Sequence, residues 1–116
     1  MIERQVAWRA RLDAELQTCT VARGQGDVEQ QWHTLGRAHI LSQIALIPHL
    51  DVHWLMLRLA VQLGDRREIA GQAVRLLLAP LGAPSGRIPW CNTGRAIVSA
   101  FAPMPIPPDL IDVMPS

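Results

Sequence analysis

The stretch DVEQQWHTLGRAHILSQIALIPHLDVHWLMLRL, residues 27–59, holds two helical patterns in succession with a proline between them. In its first half Trp32, Leu35, His39, Ser42 or Gln43 and Leu46 recur at three- and four-residue intervals, the spacing of one helix face. Asp27 followed three residues later by Gln30 is a capping-box pattern, so a helix is predicted from Asp27 to about Ile47. Pro48 disfavours helix at Ile47 yet suits a helix start, which places a turn there and a further helix over about 49–63. So short a link favours an antiparallel hairpin.

The flanks repeat the pattern. Residues 2–23 keep Ile2, Val6, Trp8, Leu12, Leu16, Cys19 and Ala22 near helical spacing, and GQGD (24–27) breaks the run. On the other side Gly64 ends the third helix, and Asp65 with Glu68 forms a second capping box. A fourth helix is predicted over 65–78 with Ile69, Gln72, Ala73, Leu76 and Leu77 inward and Pro80 as its stop. The expected fold class is therefore all-α: two antiparallel helical hairpins, four helices in a single helical domain over residues 1–116.

Every proline except Pro48 lies in 80–116, which reads as an irregular proline-rich C-terminal wrap across the helices. Its Ile, Val, Trp, Phe and Met content is too apolar for a free tail, and helical turns are expected near 94–100 and 108–113. Within the second helix, Trp32-x-x-Leu35-Gly36-x-x-His39 matches the first half of a tetratricopeptide signature, with histidine in place of tyrosine. No second copy follows at a period of roughly 34 residues, so tetratricopeptide-like hairpin packing is expected rather than a repeat array.

Composition narrows the function classes. Hydrophobic residues make up 49% of the chain and charged ones 18%, enough apolar content to fold. The net charge is +1 and the arginines form no run, which argues against nucleic-acid binding. The chain has neither lysine nor tyrosine, so lysine Schiff bases, lysine phosphate clamps and tyrosine acids or nucleophiles drop out. The uncharged stretches AHILSQIALIPHL (38–50) and AIVSAFAPMPIPP (96–108) are shorter than the roughly 20 residues of a membrane helix, so no membrane insertion is expected. MIERQVAWRARLDAEL carries charges throughout and does not resemble a secretory signal, so a soluble cytoplasmic protein with reduced Cys19 and Cys91 is expected.

The candidate chemistry lies around Pro48. In IPHLDVHWLML (47–57), His49 and His53 are four residues apart and share a helix face, a spacing that lets two imidazoles reach one ion. His39 lies nine residues before Pro48 and His53 five after, a height difference of about 6 Å in an antiparallel hairpin, which imidazoles can bridge. A cluster of His39, His49 and His53, completed by Asp51, Cys91 or water, would suit a transition metal ion such as zinc, copper or nickel.

Other readings stay open beside it. His39 also reads as a core histidine bonded to Gln43, Asn92 or a loop carbonyl, and His33 as a solvent-facing residue. Cys19 reads as a small buried residue. Cys91, in Trp90-Cys91-Asn92-Thr93-Gly94, reads either as a packed thiol or as the partner of a histidine in metal binding or nucleophilic catalysis. Asn92-Thr93-Gly94-Arg95 is a turn that either positions a loop or presents amides to an anion, outside any nucleotide-binding motif. Trp32 and Trp54 are expected to pack between the second and third helices, and Arg58, Arg66, Arg67 and Arg75 to pair with Asp65 and Glu68. No HExxH, paired carboxylates or Ser-His-Asp order is present, which leaves an enzyme the least supported class.

Taken in order, LGRAHILSQ (35–43), HLDVHWLMLRLA (49–60), REIAGQAVRLLLAP (67–80) and NTGRAIVSAFAPMPIPPDL (92–110) resemble an uncharacterised bacterial family, domain of unknown function 3703. The resemblance covers most of the chain after about residue 27, including His39, His49, His53 and the NTGRA segment. Cys91 departs from it, standing where a small residue such as glycine is expected. The family's gene neighbourhoods imply a context of heavy-metal efflux and resistance, and with the three-histidine cluster the expectation is a metal-binding accessory protein of heavy-metal handling. The competing expectation is a helical protein-interaction module that binds a protein partner without metal, suggested by the tetratricopeptide-like half signature and the Pro-Met-rich segment 103–108.

Overall fold

Capping decides where the helices begin and end. The computed structural model describes residues 2–85 and 106–114. It forms α1 (Ile2–Gly24), α2 (Val28–Ser42), α3 (Leu46–Leu63), α4 (Arg66–Ser85) and the short α5 (Pro108–Ile111), with no strand among the described residues. Asp27 Oδ1 accepts the Gln30 amide at 3.0 Å and Asp65 Oδ1 accepts the Glu68 amide at 3.1 Å, so both capping boxes act as N-caps. Gly64 closes α3 at φ 66°, a left-handed conformation suited to glycine, and its amide reaches the Val61 carbonyl at 3.1 Å.

The hinge between α2 and α3 lies before Pro48 rather than at it. α2 ends at Ser42, not near Ile47, and α3 begins at Leu46, not at His49. Pro48 is the third residue of α3, where no amide has an intrahelical partner to lose. The first ladder bond runs from the His49 amide to the Ala45 carbonyl at 3.0 Å, immediately beyond the proline. α4 likewise does not stop at Pro80 but continues to Ser85. Proline removes one rung of the ladder there, and the helix-favouring run Leu76-Leu77-Leu78-Ala79 leads into it.

Consecutive helices pack pairwise, α1 on α2, α2 on α3 and α3 on α4, giving an all-α bundle. Its core comprises Leu12 of α1, Trp32, Leu35, Ala38, Ile40 and Leu41 of α2, and Val52, Met56, Leu59 and Ala60 of α3. Among the described residues Leu110 and Met114 join it, so the described C-terminal residues pack onto the helices as expected, and α5 supplies the turn predicted near 108–113. The turn predicted near 94–100 lies outside the described residues. Trp8 Nε1 donates to the Leu41 carbonyl at 2.6 Å, tying α1 to the end of α2.

Charge fixes the same layer. Arg37 of α2 donates to Glu15 of α1 at 2.7 Å and also pairs with Asp109 of α5, and Arg11 reaches Asp109 at 2.5 Å. Arg37 holds the Asp109 carboxyl below the usual carboxylate range. Three elements are thus joined by one charge-assisted network.

Two expectations about facing residues fail. Trp54 is 55% exposed and does not pack between α2 and α3. The inward face of α3 is set by His49, Val52, His53, Met56, Leu59 and Ala60, which leaves Trp54 on the far side. Leu77 is 76% exposed: it stands about 140° round α4 from the buried Gln72, and the inward face runs through Glu68 instead. Among the described residues no helix is long and apolar enough to cross a membrane.

Candidate metal centre

The shifted hinge is what assembles the site. With the turn centred on Ile44, His39 stands five residues before it and His49 five after, so the two lie level on adjacent helices. His53 follows one turn along α3. All three side chains are buried, at 2%, 4% and 2% exposure.

Their Nε2 atoms converge. The separations are 3.0 Å for His39–His53 and 3.1 Å for both His39–His49 and His49–His53, so the nitrogens mark a nearly equilateral triangle. The rings meet edge to face or tilted, with centroids 4.7–4.8 Å apart, so the Nε2 atoms are the inner corners of the cluster. Three imidazole nitrogens so close together could hold one transition metal ion, which would take its remaining ligands from water or other residues.

Such a triangle is poorly satisfied by hydrogen bonds alone. A neutral imidazole carries one N–H and one lone pair, on different nitrogens. Around a ring of three Nε2 atoms donors and acceptors cannot alternate, so at least one contact sets like against like. A cation at the centre removes the conflict, because all three atoms then act as lone-pair donors.

Protonation of His49 and His53 is suppressed. Burial pushes the His49 pKa down. For His53 burial again dominates and, with smaller contributions from His49 and Arg75, outweighs the opposing bond to Gln72, bringing the pKa down to about 4. At neutral pH these two rings are neutral, the form that ligates metal.

α4 supplies a support behind the triangle. His53 Nδ1 lies 2.7 Å from Gln72 Oε1, and Gln72 Nε2 donates to Glu68 Oε2 at 3.2 Å. Gln72 and Glu68 are 0% and 1% exposed. The inward stripe includes Gln72, and Glu68 reads as a cap residue, but neither was expected at the site. A polar pair four residues apart on a buried helix face was the signal available.

Of the other predicted ligands, Asp51 is not brought in. Asp51 is exposed, because two residues beyond His49 is about 200° around α3, away from α2. Cys91, Trp90, Asn92 and the Asn92–Arg95 turn lie outside the described residues. His33 is exposed, as expected. Cys19 is half-buried with its Sγ 4.0 Å from the Gln31 carbonyl, and burial pushes its thiol pKa up, which suits a packed residue better than a nucleophile. His39 Nε2 lies 3.0 Å from His53 Nε2 and 3.1 Å from His49 Nε2, so two histidines share the core position read for it.

Fold and site together define an all-α bundle with a buried three-histidine cluster at the joint of two helices. The chain belongs to the family described as Protein of unknown function (DUF3703), whose model matches residues 6–114. No curated relative and no solved structure matches it.

Proposed function

We propose that this chain is a small metal-binding accessory protein, with His39, His49 and His53 as the ligands of one transition metal ion. The observation that carries the reading is the triangle of three buried Nε2 atoms at 3.0–3.1 Å, an arrangement that hydrogen bonding cannot fully satisfy and a cation can. Three neutral imidazoles suit zinc, copper or nickel, and water or a residue outside the described span completes the coordination. The role is metal handling in a cytoplasmic heavy-metal response, the context implied by the family resemblance. Asp51 is dropped from the ligand set, and Cys91 is kept only as a candidate fourth ligand.

Metal content of tag-free protein, measured by mass spectrometry and followed by calorimetric titration of the chelator-treated chain, tests this reading. About one equivalent of metal, lost on His39→Ala and His53→Ala, supports it. No metal and no heat of titration overturns it.

A second reading, a helical interaction module, draws on the outer face of α3. There Ile47, Trp54 and Val61, spaced seven residues apart, are 65%, 55% and 59% exposed. It predicts partner capture that Trp54→Glu abolishes and His53→Ala leaves unchanged.

A further inference from the structure

The support behind His53 has a direction. Glu68 offers an acceptor to Gln72, so the amide turns its Nε2 toward Glu68 and its Oε1 toward His53. A flipped amide would set its oxygen against a carboxylate oxygen, which is repulsive. Facing an oxygen at 2.7 Å, His53 Nδ1 must carry the ring proton. The other nitrogen, Nε2, is then left with its lone pair, and that atom is a corner of the triangle.

We infer that Gln72, oriented by Glu68, is a positioning residue that holds His53 in its Nδ1-protonated form and so commits the Nε2 lone pair to the ion. The assignment rests on the metal-binding reading for its purpose, but the tautomer is a property of the chain itself. A side chain that only filled space would not require a polar residue at a position with 0% exposure. The arrangement also gives the buried Glu68 carboxylate a donor on the inward side of α4. An acceptor on the distal nitrogen of a ligating histidine fixes the ring's orientation and raises its basicity.

Histidine side-chain nitrogen NMR on the full-length, metal-free chain near pH 7.5 tests the assignment. His53 in the native protein is expected to show a protonated Nδ1 and an unprotonated Nε2. Gln72→Met, of similar volume without the acceptor, is expected to lose that preference and to weaken zinc binding about 10- to 100-fold. The exchange Glu68→Gln with Gln72→Glu keeps an acceptor facing His53 and a donor facing that acceptor. It is expected to restore both the tautomer and the affinity, which a purely space-filling role does not predict.

An Nε2-protonated His53 in the native chain overturns the inference without any variant, even if Gln72→Met fails to fold. So does a Gln72→Met protein with unchanged tautomer and unchanged zinc affinity. If the native chain takes up no zinc, copper or nickel, the proposed function falls, while the nitrogen signals still decide the role of Gln72.

Discussion

Acidifying the metal-free protein should destabilise it before any carboxylate effect sets in. His53 titrates near 6.5 in an unfolded chain and is brought down to about 4 in the folded one, chiefly by burial. Between those values the unfolded state binds a proton that the folded state does not, so stability falls as pH falls. The gap corresponds to about 3 kcal/mol for this one residue, with a limiting slope of about 1.4 kcal/mol per pH unit. His49 is shifted in the same direction and adds to the loss. Asp109 acts in a different window: Arg37 depresses its pKa from 3.8, so its contribution is present above that value and is lost on the acid side of it.

Urea unfolding of chelator-treated protein at intervals from pH 8 to pH 4 reads this directly. The expected curve is level above pH 7, falls by about 3 kcal/mol or more between about pH 6.5 and pH 4, and loses most of that slope in His53→Leu. A wild-type curve that stays flat from pH 7 to pH 4.5 would show that His53 is not held neutral by burial, and the reasoning about the triangle would fail with it.

Other perturbations separate the core and the charge network from the site. Leu41→Ala removes a side chain with 0% exposure from the centre of the core and should cost about 2–5 kcal/mol in denaturant unfolding. Arg37→Met takes the nearest cation, 2.7 Å away, from the 8%-exposed Glu15 and removes one of the two arginines on Asp109, with an expected loss of about 1–3 kcal/mol by the same assay. Asp51→Asn alters an exposed residue on the far side of α3, so zinc affinity by calorimetry should match wild type within about twofold.

Helix identity was legible because caps and periodicity are local. Asp27, Asp65 and Gly64 mark helix ends through their own side chains or backbone, and the stripe Trp32, Leu35, His39 and Ser42 is buried along its length as read. What failed was local ambiguity that only packing resolves. Pro48 is compatible with a turn or with the first turn of a helix, and the partners of α3 decided for the second. α3 is apolar nearly all round, so its periodicity could not say whether Trp54 or the Val52–Met56–Leu59 face turns inward.

The histidine cluster was legible as a spacing, and its closure was not. A hinge placed at Pro48 sets His39 level with residue 57, whereas the actual hinge sets it level with His49. The contribution of Gln72 and Glu68 was hidden for another reason. The polar pair within α4 signals a buried partner, but which residue of α3 it faces is decided by packing.

The central claim is that three Nε2 atoms form one metal centre. X-ray absorption at the zinc edge, on native full-length chain loaded with one equivalent, tests it most directly. The account predicts first-shell nitrogen at about 2.0–2.1 Å with the outer-shell scattering of three imidazoles. A bound zinc whose spectrum lacks imidazole scattering, or a chain that retains none of zinc, copper and nickel, would contradict it.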